Sequence, residues 1–321
     1  RERGHKVILY MRDNAEIERN GIWQKATFPL ETIFSWRTYR EIQTLASSEK
    51  PDVAHIHNVF HRISPAVYRA LKKTGVPIVQ TVHNFRFLCP NALFYTHGQI
   101  CERCKYGNTL YAVRWRCYRQ SYILSALYAL AIGLHRRWGT FDLIDRFIAL
   151  SEFTAQKLIE SGLAPRDKIS VLGNFLPEPL PNPGSFEKRK PYIVYLGRLS
   201  TEKGVEILLE AIAGLPNLRA KIAGDGPQAE SLQAIARQQS LHQVEFLGRV
   251  TGEEKWHLLR QALALVAPSV CYENLPFTVL ESLAVGTPVV TSNLGGMSSV
   301  VYDGKNGLLF YPGKSQDLQQ K

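Results

Sequence analysis

The chain has 321 residues, 45% of them hydrophobic, which suggests about two domains with real cores. The net charge of +11 and pI of about 9.4 favour anionic partners, whether nucleic acid, anionic lipid or phosphorylated substrates. No Lys/Arg run is long enough for a disordered nucleic-acid arm, and no apolar stretch is long enough to span a bilayer.

Taken in order, residues 5–10 read as a strand, preceded by a helix end and the turn glycine Gly4. Trp36, Tyr39, Ile42, Leu45 and Ala46 recur at helical spacing and predict a helix over 36–49. A short apolar strand over 52–57, a helix over 64–74 with Pro65 in its first turn, and a strand over 76–82 follow. This βαβα rhythm implies a parallel sheet covered by helices, with ligands at the carboxyl ends of the strands. His57 and His83 fall at such ends. His55 and His57 are read as structural histidines.

Residues 85–117 lack periodicity and hold Cys89, Cys101, Cys104 and Cys117, four of the five cysteines. A Cys-x2-Cys pair plus two further thiols matches the ligand count of a structural Zn site, and four thiolates would close the coordination sphere to catalysis. The other reading is a set of reduced thiols, or an oxidised pair if the protein is exported. The expectation is that these four meet in space as a structural unit, with Cys271 apart as a small core residue.

Residues 121–138 form one apolar helix with cations at both ends, either a core helix or an interfacial one with Trp115, Tyr118 and Trp138 at headgroup level. Strand 145–150, helix 152–161 and strand 168–172 precede a proline-rich linker between about 175 and 190. The second half repeats the rhythm, with strands at 192–196, 218–223, 244–247, 263–267, 288–291 and 307–310. Its helices lie near 203–213, 227–239, 252–262 and 276–285.

The stretch 271–286 carries the strongest chemical signal. Pro276 suits the first turn of a helix, Asn274 is placed to cap it, and Val279, Leu280, Leu283 and Ala284 follow at helical spacing. Glu273 then stands in the loop before the helix and Glu281 inside it. The helix start offers N–H groups to an anion such as a diphosphate, with a carboxylate on either side for sugar hydroxyls.

Upstream come Tyr192 to Gly197-Arg198 with Lys203-Gly204, then Gly224-Asp225-Gly226-Pro227, then Val244 to Gly248-Arg249. With 271–286, these pieces in this order resemble the C-terminal half of family 4 glycosyltransferases of the GT-B fold. The likeness covers roughly 190–312, with a fainter one running back to the first residues. It implies an α/β fold of two facing Rossmann-like domains with parallel sheets, an acceptor-side domain over 1–177 and a nucleotide-sugar-binding domain over 178–321.

By that resemblance the chain is a retaining enzyme that moves a sugar from a nucleotide-diphospho-sugar to a glycan or lipid-linked acceptor of surface polysaccharide. It would do so in the cytoplasm, at the inner face of a membrane touched through 114–138. His83 would reach donor sugar and acceptor, and Glu273 the donor sugar. Glu281 would hold the ribose, Asn274, Leu275, Pro276 and Phe277 would line sugar and phosphate, and Gly248-Arg249-Val250 would pass the base. Gly197 and the Gly224-x-Gly226 turn belong to the same half-site. The chain holds no Asp-x-Asp pair for a catalytic metal; Arg198, Lys203 and the helix start are expected to meet the diphosphate instead. The same resemblance marks the chain as a fragment without the first strand, its glycine-rich loop and the closing helices. Two alternatives stay open: a sugar-nucleotide epimerase on the same fold, and a zinc-stapled basic binding module. Nucleic acid is not an expected partner.

Overall fold

The computed structural model describes residues 4–12, 29–60, 62–185, 187 and 189–321. The chain forms two compact bodies. The first comprises Arg1–Ala92, Arg103–Ile148 and Ile159–Ser170, and the second Leu93–Glu102, Ala149–Leu158 and Val171–Lys321.

A four-stranded sheet is ordered β1-β2-β5-β6, from β1 (Ala54–Ile56), β2 (Ile78–Val82), β5 (Arg146–Ala149) and β6 (Ile169–Val171). β1 and β2 pair in parallel, Ala54 opposite Ile78. Helices α1 (Trp36–Glu49), α2 (Ala66–Lys73), α3 (Leu110–Arg114) and α4 (Tyr122–Arg137) belong to the first body. The amphipathic α1 is capped by Ser35, whose side chain accepts from the Thr38 N–H, and ends at Lys50 in a left-handed conformation. α4 buries Leu127, Tyr128, Ala131, Ile132 and His135 and exposes Tyr122, Ile123 and Leu130, so it is half core helix and half surface.

Residues 5–10 form no strand. Among the described residues no neighbouring strand hydrogen-bonds to them, and Val7 and Leu9 are exposed. A strand needs a ladder partner as well as an apolar sequence. The helix end expected before Gly4 lies outside the described residues.

The cysteine expectation is also corrected. Among the described residues no group of three or more His, Cys, Asp or Glu side chains is placed to hold a metal ion, and all five cysteines are thiols. Cys89, Cys104 and Cys117 belong to the first body, whereas Cys101 follows the hairpin β3 (Tyr95–Thr96) and β4 (Gln99–Ile100) in the second. Cys89 donates to Asn91 Oδ1 at 2.9 Å. The segment orders by other means. Phe85, Phe87 and Leu88 are buried, and turns bond Ala92 N–H to Cys89 O and Phe85 N–H to Ala92 O. The Arg86 guanidinium lies 5.1 Å from the Tyr118 ring and 5.0 Å from the Tyr128 ring. Cys271, 2% exposed in the second body, is the small core residue expected.

In the second body six parallel strands are ordered β12-β11-β10-β7-β8-β9: β7 (Tyr192–Leu196), β8 (Arg219–Ala223), β9 (Val244–Gly248), β10 (Ala264–Ala267), β11 (Val289–Ser292) and β12 (Gly307–Phe310). The chain works outward from β7 through β8 to β9, returns to β10 and works outward the other way. That is the doubly wound order, with its switch point between β7 and β10. Helices α6 (Val205–Ala213), α7 (Ala229–Gln238), α8 (Gly252–Gln261), α9 (Phe277–Ala284) and α10 (Ser315–Gln320) intervene, while α5 (Glu152–Glu160) precedes them in the chain. Apolar residues pack on both sheet faces, as the near-continuous hydrophobic strands require: Leu208, Leu209, Ile222 and Phe310 in one cluster, Val194, Leu259, Leu265 and Val289 in the other.

Candidate functional site

In a doubly wound sheet the ligand crevice opens at the carboxyl ends of the strands flanking the switch point. Here those ends are the loops after β7 and β10, which carry Gly197, Arg198, Lys203 and Glu273 to Pro276, while Gly224 and Gly226 follow β8, Arg249 follows β9 and Glu281 lies in α9. The loop after β7 is clamped to the one after β8: Gly197 N–H donates to Ala223 O at 3.1 Å, and Leu199 N–H to Asp225 O at 2.9 Å. The approach leaves no room for side chains. A Cβ on Gly224 would drive into the Gly197 carbonyl, and one on Gly226 into that of Leu199. Gly224 N–H donates to Gly248 O at 2.7 Å, which brings the loop of Arg249 alongside. The Gly224-x-Gly226 pair is thus a requirement of close backbone approach.

Arg198 stands exposed at the tip of the first loop, its carbonyl accepting from Tyr195 Oη at 2.7 Å. A short 3-10 turn over Thr201–Lys203 and Gly204 at φ +67° bring Lys203 to the loop after β10. A Cβ on Gly204 would strike the Pro268 carbonyl, so this turn and the loop after β10 are locked together. Lys203 Nζ donates to Glu273 Oε1 at 2.5 Å, and Ser269 Oγ donates to the same oxygen at 2.8 Å. Burial opposes the Lys203 charge, but the Glu273 carboxylate more than offsets it and holds the pKa above the usual lysine value.

α9 begins at Phe277 with Pro276 as its cap residue and no side-chain cap. Asn274 therefore does not cap it, contrary to the sequence expectation. Buried at 6% exposure, it accepts from Thr154 Oγ1 at 3.2 Å. The loop conformation is held by backbone contacts: Gly296 N–H donates to Glu273 O at 2.6 Å, and Asn174 Nδ2 to Leu275 O at 2.7 Å. Leu275 is buried and Phe277 half-exposed. Glu281, one helical turn further on, accepts from Lys255 Nζ at 2.5 Å. The switch point thus gathers Gly197, Arg198, Lys203, Gly224, Gly226, Glu273 and the start of α9, with Arg249 on the adjoining loop. Two carboxylates are each neutralised by a lysine. Chemically this is an anion-accepting helix start beside polar groups suited to sugar hydroxyls.

Sequence reasoning missed Lys255, Ser269 and the Gly295-Gly296 pair. Lys255 carried no motif signal on an amphipathic helix. The adjacent glycines after β11 were a readable signal: a Cβ at Gly295 would lie 2.7 Å from Glu273 O, so they let that strand end approach the Glu273 loop.

In the first body His57 and His83 lie just past the carboxyl ends of β1 and β2, with His57 Nδ1 2.7 Å from His83 Nε2. They line a cavity of about 210 Å³ together with Asn58, Gln80, Asn84 and Arg86.

Comparison with known proteins agrees with this architecture. The chain superposes on HepE from Anabaena, solved with UDP-glucose, at a TM-score of 0.63 over 88% of this chain and 70% of that one, with 21% identity. It superposes on the lipopolysaccharide outer core galactosyltransferase WaaB at 0.60, over 88% and 68%, also with 21% identity. The fold is therefore α/β of the GT-B class. The Glycosyltransferase Family 4 model matches residues 1–177 and the model for glycosyl transferases group 1 matches residues 178–321. The chain belongs to glycosyltransferase family 4. A sulfoquinovosyl transferase of Arabidopsis thaliana is 26% identical over 307 residues, 91% of this chain and 52% of that protein. A glycogen synthase of Mycobacterium tuberculosis is 41% identical over 128 residues, 37% of this chain and 30% of that protein. The chain spans about half or less of the length of these curated relatives.

Proposed function

We propose that the protein is a retaining glycosyltransferase that moves a sugar from a nucleotide-diphospho-sugar to a glycan or lipid-linked acceptor of surface polysaccharide. The observation that carries this reading is the Lys203–Glu273 pair at the switch point, beside the uncapped start of α9. A bound diphosphate would meet Arg198, Lys203 and the first N–H groups of α9, so leaving-group charge is met by fixed groups rather than a metal. Glu273 would face the donor sugar, Glu281 the ribose, and Gly248-Arg249 the base. Residues 178–321 would form the donor half. Residues 1–177 would form the acceptor half, with His83 as its catalytic residue.

The membrane contact belongs to the same reading. No helix among the described residues is long and apolar enough to cross a bilayer. Ile123 and Tyr122 are nevertheless exposed, with the Arg116 guanidinium 5.4 Å from the Tyr122 ring and that of Arg119 5.7 Å from the Tyr118 ring, a combination that suits the inner face of an anionic membrane in the cytoplasm.

A thermal-shift panel of nucleotide sugars on the full-length protein tests the proposal. A true donor at 100 times its Kd stabilises by about 2.7 kcal/mol. Stabilisation by no nucleotide sugar overturns it, and conversion of the donor without acceptor identifies an epimerase instead.

Glu281→Ala is expected to raise the KM for the donor about tenfold, close to 1.4 kcal/mol, with kcat little changed, because a ribose contact is made equally in ground and transition states. Initial rates against donor concentration check this; an unchanged KM removes Glu281 from the donor site.

A further inference from the structure

The histidine pair in the first body is more ordered than two structural imidazoles need to be. His57 Nδ1 and His83 Nε2 are 2.7 Å apart, with ring centroids separated by 5.0 Å. A nitrogen–nitrogen contact of that length requires one ring to donate and the other to accept, so the two rings share one proton between them. The His57 backbone is itself held: Gln80 Nε2 donates to its carbonyl at 3.1 Å, and Gln80 Oε1 accepts from the fully buried Tyr68 hydroxyl at 2.6 Å. On the other side the His55 ring lies 4.5 Å from that of His57, tilted by 40°, with its own Nε2 2.7 Å from Thr81 Oγ1.

We propose that His57 is a positioning residue, which holds the His83 ring in one orientation by hydrogen bonding its Nε2, leaving Nδ1 for an oxygen of a bound substrate. The proposal rests on the reading of His83 as the catalytic imidazole of this half. The bond ties the two rings together: whichever donates along it, the other must accept.

The electrostatic setting agrees. Burial, then the neighbouring imidazoles, push the pKa values of His57 and His83 below the usual histidine value, and burial does the same to His55. Arg86 lines the same cavity and adds positive charge. Each shift favours the neutral imidazole, and a neutral ring can donate or accept along the contact.

The test uses the full-length protein and the variants His57→Ala and His57→Asn. The asparagine amide can occupy the place of Nδ1 and keep a hydrogen bond to His83. His57→Ala is expected to lower kcat about tenfold or more with donor KM within about twofold, and His57→Asn to restore most of it. Long-range 1H–15N spectra are expected to show His83 Nε2 hydrogen-bonded in the wild type and in His57→Asn, and its signal shifted in His57→Ala. Equal loss in both variants at equal melting temperature overturns the proposal, as does an unshifted His83 Nε2 signal in His57→Ala. If His83→Ala leaves kcat unchanged, the catalytic reading of His83 fails, while the Nε2 signal still decides whether His57 holds the His83 ring.

Discussion

Glu273→Ala is expected to lower kcat by about 10²–10³-fold while the KM for the donor stays level or falls. The Glu273 carboxylate accepts from Lys203 at 2.5 Å and Ser269 at 2.8 Å, with its side chain only 14% exposed, so its oxygens are already aimed. Charge at the donor sugar grows as the glycosidic bond breaks, and a fixed carboxylate facing it acts mainly in the transition state. The opposite trend in KM has a separate cause. With Glu273 gone, Lys203 loses the neighbour that competes for it and is available to the diphosphate.

The same pair has a pH signature. Lys203 has a raised folded pKa, so its contribution to stability is fully present below the unfolded value of about 10.4 and is lost as pH rises through the folded one. Glu273→Ala removes that alkaline dependence. Steady-state kinetics with donor varied, and melting temperatures between about pH 8 and 11, check both effects. An unaltered kcat rules out the proposed role of Glu273.

Gly224→Ala is expected to destabilise the second body by about 3 kcal/mol, lowering its melting temperature by roughly 6–12 °C, and to weaken donor binding in parallel. Gly224 sits at φ +154°, and an added methyl would run into the Gly197 carbonyl. The obstacle is backbone and cannot swing aside as a side chain could. The Gly197–Gly204 loop would have to lift, breaking the Gly197–Ala223 and Leu199–Asp225 hydrogen bonds that hold it. Gly304 is the control. It also has positive φ (+72°), but a Cβ there meets nothing within 4 Å, so Gly304→Ala carries the backbone strain of about 1 kcal/mol without the collision. Differential scanning calorimetry separates the two. Equal losses would mean that backbone strain, and not the close approach of the two loops, sets the cost at Gly224.

Much of this architecture was legible in the residues. The helix over 36–49, the strands at 192–196 and 307–310 and the alternation of the second half follow from local periodicity, and the structure places them there within a residue or two. The loops around the switch point, expected to form a donor site, were legible for a related reason. Glycine where backbones must touch, and cation, proline and carboxylate at loop ends, are demands that each position makes by itself. What was not legible depends on residues distant in the chain. Lys255 meets Glu281 across 26 residues, Asn274 turns to Thr154 across 120 rather than capping its own helix, and His57 meets His83 across 26. The cysteines 89–117 suggested a cluster by spacing, yet among the described residues no three ligating side chains come together as a metal site. Residues 5–10 had the apolar content of a strand and, among the described residues, no strand to pair with. A residue pattern reports which side of an element seeks burial; which side chains meet is decided by strand order and loop closure, and those exist only once the sheets have assembled.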